Sequence, residues 1–470
     1  MGVREKLSGK NYRMFLGAMT SVFVLLSLGG VAAETLESAL ARAYGNNPDL
    51  NAQRANVRAT DENVARAKSA YRPQINATAD VSRDYRRSGG TSRVATSRSI
   101  GLDVSQTIFN GFRTENSVRQ AESGVLSARE TLNNNEQEIL LNSATAYMDV
   151  LRDTAILDLQ RNNVEVIDEQ LRQTRDRFNV GEVTRTDVAQ AEARLAAGRS
   201  QQSRAESDLR TSIAQYRQFV GVEPRQLAPG RPLDRLLPRS VDAALQVALN
   251  AHPAIKAAQH SVDAAELQVK IEEGALAPQL GVSGSVSQSY GGLAGAGGAG
   301  GGGGNDGVFA ASVGARLTVP IYEGGLAAAS TRQAKETAGQ RRLDADWIRD
   351  QVRAAVVSSW GLFEASRSQI QAAQSQIDAA ETALSGVREE ARVGQRTTLD
   401  VLNSQQELLN ARVNLIQAQR DRVVASYQVV QAMGRLNSRA LGLAVNHYSP
   451  KIHYDQVKDL WGGRTTPDGR

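Results

Sequence analysis

The chain of 470 residues contains no cysteine, so neither disulfides nor thiolate metal sites are available to it. Aromatic residues make up only 5%. That is low for one large globular core and suits helices packed through Ala, Val, Ile and Leu. The four histidines, His252, His260, His447 and His453, have no spacing that would gather metal ligands or a catalytic triad. His252, beside Pro253 at a helix start, reads as a surface or capping residue. A glycine-rich run is present, but no Gly-Lys-Ser/Thr follows it, so it is not a phosphate-binding loop. Asp187 and Asp400 form a conceivable acid–base pair, yet no pocket signature surrounds either. The chain is expected not to be an enzyme and to use no cofactor.

Beyond residue 33 no run of 18 apolar residues exists, which excludes a membrane-spanning helix there. Before it, Arg4, Lys6, Lys10 and Arg13 form a positive lead, and Met14 to Val31 is apolar and uncharged. Val31, Ala32 and Ala33 then offer a small-residue cleavage site. Residues 1–33 are therefore read as an export signal rather than a membrane anchor. Without them 437 residues remain, with 51 basic against 49 acidic, a balance that argues against nucleic acid as partner.

What the exported chain does have is a tandem duplication. Sliding it by 205 residues pairs Leu40 with Leu245, Pro48 with Pro253, Pro73 with Pro278 and Gln74 with Gln279. Thirteen of the 47 pairs from Leu36 to Ser82 are identical without a gap. Repeat one is assigned to 34–223 and repeat two to 239–436. A linker at 224–238, marked by Pro224, Pro229, Pro232 and Pro238, joins them. After Gly434 the pattern is lost, and the tail at 437–470 is expected to lie over the body or to be disordered.

Within each repeat two helices come first, about Leu36 to Asn46 and Pro48 to Ala70, then Val241 to Ala251 and Pro253 to Ala275. The hydrophobic period then changes from 3.6 to 2. Ile75, Ala77, Ala79 and Val81 alternate with polar neighbours, as do Ile100, Leu102, Val104 and Ile108. Repeat two matches them with Leu280, Val282 and Val286, then Val313, Ala315, Leu317, Val319 and Ile321. Strands are expected at about 74–85, 98–109, 279–290 and 309–321, near the length that crosses a bilayer at a tilt. Tyr85, Phe109, Phe112, Tyr290, Phe309 and Tyr322 lie near their ends, where an interfacial girdle places aromatics. Two soluble hairpins packed on a core would show the same alternation. The loops differ: Arg86 to Ser97 is polar, whereas Gly291 to Gly307 has eleven glycines in seventeen residues and reads as a flexible surface loop, expected outside the cell.

Residues 113–180 and 326–393 then run without proline, and each would make a helix about 100 Å long. Ile370, Ala373, Ile377, Ala380, Leu384, Val387 and Ala391 alternate spacings of three and four, and Leu157, Val164, Ile167, Leu171 and Phe178 take the same seam. Such heptads imply left-handed supercoiling. Shorter returning helices follow, about Thr184 to Val220 and Thr397 to Met433. Between long and short helix sits a glycine each time: Val180-Gly181 with Thr184 and Asp187, and Val393-Gly394 with Thr397 and Asp400. Both read as tips of helical hairpins. Four strands cannot close a membrane barrel and open edges cannot face lipid, so a membrane location requires several chains to share one barrel.

This doubled order, with Arg177-Phe178-Asn179-Val180-Gly181 and Thr186-Asp187-Val188, then Val393-Gly394 with Arg396, Thr397 and Asp400-Val401-Leu402, resembles the TolC family of outer-membrane channel proteins. The resemblance covers nearly all of Glu34 to Leu436. It implies a mostly α fold with a membrane β-barrel contribution: a homotrimer with a 12-stranded β-barrel in the outer-membrane lipid, continued by a 12-helix α-barrel across the periplasm. It also implies docking of the tips Val180, Gly181, Val393 and Gly394 on a periplasmic adaptor (membrane fusion) protein bound to an inner-membrane RND or ABC transporter. Gln170, Thr186, Asp187 and Arg396 correspond to positions that hold the tunnel closed, and Asp400 and Asn403 to the cation-selective constriction. Two positions depart from the family pattern. Ala391 stands where relatives often have tyrosine, and Asn403 where a second aspartate is common, so a weaker latch and fewer pore charges are expected. The competing readings are a periplasmic coiled-coil adaptor, which needs one tip and no bilayer-length strands, and a trimeric surface stalk, which needs no duplication.

Overall fold

A computed structural model describes residues 33–291 and 307–469. The export signal and all but the ends of the glycine-rich loop lie outside the described residues. Repeat one contributes α1 (Leu36–Asn46), α2 (Pro48–Lys68), β1 (Gln74–Ser88), β2 (Thr91–Asn110), α3 (Arg113–Asn179) and α4 (Arg185–Val220). Repeat two contributes α5 (Val241–Ala251), α6 (Pro253–Glu273), β3 (Gln279–Tyr290), β4 (Val308–Thr318), α7 (Leu326–Arg392) and α8 (Thr398–Ala432), and the tail adds α9 (Pro450–Val457). The bounds of α1 and α2 recur in α5 and α6 at an offset of 205, and those of α3 recur in α7 at 213.

Local chemistry sets the helix starts. Pro48 and Pro253 occupy first-turn positions, where a missing N–H is no loss. The residue before each is the cap. Asn47 Oδ1 accepts the N–H groups of Asp49 and Leu50 at 2.9 and 3.2 Å, and His252 Nδ1 accepts that of Ala254 at 3.1 Å. His252 is only 8% exposed, so it is a cap and not a surface residue. Burial pushes its imidazole down to a pKa of about 4.

The helices α2 and α4 lie end to end beside α3, and α6 and α8 lie in the same way beside α7, while α3 also packs on α6 and α8. Towards the tips the seams are thin. Ile167 and Leu171 meet Ala191 and Leu195, and Ile377 and Leu384 meet Val401, Leu408 and Ala411. Phe178 departs from its expected place on the seam and is exposed. The main core is a belt at mid-length, where α1, α5, the proline-rich linker and residues 436–448 cover the middle of α3 and the end of α8. The fully buried Tyr147 lies with its hydroxyl 2.6 Å from Glu34 O and 2.7 Å from Ala228 O, tying the chain start and the linker to α3.

The four strands form one antiparallel sheet in the order β1-β2-β3-β4, with β1 and β4 as free edges. Register sorts the side chains. Ile75 opposes Val104 and Ala77 opposes Leu102, while Leu102 also opposes Val286, and Val286 opposes Ala311. One face is therefore apolar. The other carries Thr78, Asp80, Ser99, Asp103, Ser285, Ser312 and Arg316, laced by hydroxyl contacts such as Ser285–Ser312 at 2.8 Å. Packed soluble hairpins would bury the apolar face. Instead Ile75 is 63% and Val313 87% exposed, as strands whose solvent is lipid must be in an isolated chain.

Two expectations change, and the tail takes the first of its two expected forms. The first hairpin does not open into a loop at Arg86 to Ser97: its ladder continues to Ser88 opposite Thr91 and turns through Gly89-Gly90, both at positive φ. Two consecutive left-handed residues make the tight turn that suits strand twist, and glycine takes them without strain. The last strand stops at Thr318 rather than 321, because Pro320 has no N–H to give the ladder. The tail is ordered against the body, with His453 of α9 bound through Nδ1 to the buried Asp61 of α2 at 3.0 Å.

Candidate functional site

The narrow end of the molecule is built from two near-identical tips. In the first, α3 closes on Gly181 at φ 80°, with Gly181 N–H donating to Phe178 O and Glu182 N–H to Arg177 O. In the second, Gly394 at φ 80° repeats this with Ala391 and Glu390. This pair of bonds satisfies carbonyls that a helix end leaves open, and it needs a left-handed residue at the glycine. A side-chain carbon on either glycine would meet no atom within 4 Å. The glycines serve conformation, and the space beside them is free. Val180 and Val393 flank them, both exposed.

The returning helices start with reciprocal caps. Thr184 Oγ1 accepts the N–H of Asp187 at 3.3 Å, and the Asp187 carboxylate accepts the Thr184 N–H at 2.8 Å and its hydroxyl at 2.7 Å. Thr397 and Asp400 make the same box at 3.2, 3.0 and 2.8 Å. These bonds hold both carboxyls below the ordinary carboxylate range, that of Asp187 chiefly through the Thr184 hydroxyl and that of Asp400 chiefly through the Thr397 N–H.

An ion pair spans each glycine: Arg177 to Glu182 at 3.0 Å, and Arg396 to Glu390 at 2.8 Å. Sequence reasoning placed Arg396 against Thr186 and Asp187. Within one chain it reaches Glu390, Thr186 stays exposed, and Asp187 serves its cap. The pattern Glu390-x5-Arg396 across a glycine was the available signal for that partner. Asn403 accepts a 2.5 Å bond from Arg194, joining α8 to α4 across the two hairpins. Between the tips lies a groove of about 600 Å³ lined by Gln170, Thr174, Arg177, Ala391, Arg392 and Val401. Gln170 Oε1 has no partner there among the described residues, and Ala391 leaves room on the facing wall.

Among the described residues no His, Cys, Asp or Glu cluster fits a metal ion. The arrangement has an exposed apolar sheet at one end, long helices, and polar, charged tips at the other. That is the layout of a conduit wall. The family model for outer membrane efflux proteins matches residues 39–222 and 244–435, one match for each repeat. The chain belongs to the outer membrane efflux protein family. This efflux protein is 45% identical over 463 residues to the outer membrane efflux protein BepC of Brucella suis biovar 1, covering 96% of this chain and 98% of BepC. It is 29% identical over 440 residues to the outer membrane protein TolC of Escherichia coli K12, covering 91% and 88%. Its fold superposes on the Campylobacter jejuni CmeC outer membrane channel with a TM-score of 0.75 at 16% identity, covering 90% and 89%. It is thus an outer-membrane channel of the efflux and secretion class.

Proposed function

We propose that three copies of this efflux protein close one barrel and one tunnel, and that the duplication dictates how the copies meet. The supporting observation is the pair of free edges on a sheet whose apolar face is uncovered. Backbone groups on such edges cannot stay unpaired in lipid. Inside the chain, repeat one meets repeat two where β2 pairs with β3 and α3 packs on α6. Asp103 opposes Ser285, Gln120 bonds Gln268 at 2.8 Å, and Ser127 bonds Ser261 at 3.0 Å. The repeat offsets carry this seam onto the outer flanks, where β4 and α7 of one copy meet β1 and α2 of the next. Arg316 then faces Asp80 of the neighbouring copy, Gln333 faces Asn63, and Gln340 faces Asn56. All three pairings are chemically complementary. The number three comes from the family resemblance, and three sheets of four strands give twelve.

The cysteine-free chain makes the seam directly testable. Asn56→Cys with Gln340→Cys, the counterparts of Ser261 and Ser127, should yield disulfide-linked dimers and trimers when membranes are oxidised. Monomer alone on a non-reducing gel, from protein that is inserted, would sink the seam.

In this assembly the tips Val180-Gly181 and Val393-Gly394 form the periplasmic end. They dock on a periplasmic adaptor bound to an inner-membrane RND or ABC transporter, and the duct passes drugs or proteins to the outside. Gln170, Thr186, Asp187 and Arg396 act as the latch of the closed state between copies, and Asp400 with Asn403 line the constriction.

A further inference from the structure

The chain beyond the core belt, from α9 onwards, is the part of the molecule that the conduit does not use. It climbs α2 in steps. His453 binds Asp61, Asp459 pairs with Lys68 at 2.7 Å, and Leu460 O accepts a 2.5 Å bond from Arg72, whose guanidinium lies 4.6 Å from the Trp461 ring. The chain then turns at Gly462-Gly463 and comes back, with Asp468 reaching Arg58 at 3.9 Å. The apex of this strap is therefore Leu460 and Trp461, and they are exposed by 46% and 78%.

The level of that apex is fixed by Arg72. It stands two residues before β1, and its neighbour Tyr71 accepts through its backbone carbonyl from Gln106 of β2. This is the base of the sheet, where helices become strands. Tyr71, Leu276, Phe112 and Tyr322 are also exposed at this base. The apex thus continues the apolar rim of the membrane-facing sheet. Beside it, the Arg72 guanidinium donates to the backbone carbonyls of Leu460 and Asp459, and Arg464 is exposed just after the turn.

We propose that the tail is a peripheral anchor: Trp461 and Leu460 sit in the periplasmic leaflet of the outer membrane, with Arg72 and Arg464 against phospholipid phosphates. An indole is suited to that boundary, since its ring is apolar and its N–H finds a headgroup acceptor. Cations placed beside it add attraction to an anionic surface. The inference rests on the sheet lying in the outer membrane. It adds a contact made by a segment outside both repeats.

Tryptophan emission reads it out, because the chain has only three tryptophans. Trp347 and Trp360 lie on α7, at least 21 residues from its start at Leu326, roughly 30 Å below the barrel. Full-length trimer is reconstituted in vesicles of phosphatidylethanolamine and phosphatidylglycerol whose acyl chains are brominated near the headgroup. Bromolipid should remove up to the share of emission carried by one tryptophan in three, and Trp461→Phe should abolish that loss while the trimer stays heat-stable. Equal quenching in both proteins overturns the anchor. So does a blue-shifted, unquenched Trp461, which would place the ring against a neighbouring chain. Val313→Trp in the Trp461→Phe background separates the two levels of failure. Quenching at 313 without quenching at 461 removes the anchor alone, and quenching at neither removes the membrane placement of the sheet and the anchor with it.

Discussion

At the scale of residues, His252 is where mild acid should act first. Asn47, its counterpart in repeat one, caps α2 with a side chain that does not titrate. His252 caps α6 with a lone pair that protonation removes, inside a site that lowers its pKa from 6.5 to about 4. Between those values the unfolded chain binds a proton that the folded chain refuses, so this contribution is complete above pH 6.5 and is lost as pH falls towards 4. The full term is on the order of 3 kcal/mol per chain. His252→Asn restores the cap of repeat one without the titration. Its unfolding temperature should fall less than that of wild type between pH 6.5 and 4; parallel curves would assign the acid sensitivity to another group. The cap was legible in the sequence from the His-Pro step. Its burial was not, because it depends on the packing of Gly434 against His252, from the far end of the chain.

At the scale of elements, the sequence is clearest where one period persists. The seams of α3 and α7 were readable because heptads repeat over many turns, and so were the tips, because each has a glycine followed by Thr-x-x-Asp. The first hairpin extends further than the sequence suggested because Ser82 to Ser99 is mostly polar, with only Tyr85 opposite Val94 to mark the apolar face, and its turn sits at Gly89-Gly90. The tail was unreadable for a different reason: α9 has two turns and is held by Asp61, and the chain just after it by Lys68 and Arg72, all distant in sequence. The tips also separate two roles that glycine can serve. Asparagine tolerates the left-handed conformation at Gly181 and Gly394 but fills the free space beside them, whereas valine disrupts the conformation itself, costing about 1–2 kcal/mol at each. If the tips dock an adaptor, Gly181→Asn with Gly394→Asn should abolish efflux of a fluorescent drug while inserted trimer persists. Normal efflux from the asparagine protein, with loss only in the valine protein, would leave the glycines a conformational role and no docking role.

At the scale of the assembled molecule, the proposed trimer would make each tip residue one member of a ring and give the two tip charges different tasks. Arg396 holds Glu390 within its own tip through an exposed contact that water and salt weaken. In the proposed latch it would trade that partner for the Asp187 carboxylate and Thr186 hydroxyl of an adjacent copy, since a guanidinium can serve several acceptors. Arg396→Ala or Asp187→Ala should raise single-channel conductance and let cells leak large antibiotics such as vancomycin. Thr184→Ala is the control, because it breaks the cap box around Asp187 yet leaves the carboxylate. If it opens the channel as far as Asp187→Ala does, the effect is helix fraying and not a latch. Asp400 has the other task. In the proposed trimer three Asp400 carboxylates would converge on the narrow end and favour cations, and within each chain the Thr397 cap holds the carboxyl below the usual carboxylate range. Asn403 adds no charge and is engaged by Arg194, so on this reading the ring would be a single one. Asp400→Asn keeps an oxygen that can still accept from Thr397 in the capping box of α8 and removes only the charge. Its reversal potential under a salt gradient should therefore shift towards the non-selective value at every pH. The wild-type preference should hold at neutral pH and fade only on acidification below the ordinary aspartate value of 3.8. A wild-type reversal potential in Asp400→Asn would mean that the carboxylate faces away from the pore and serves only to start the helix.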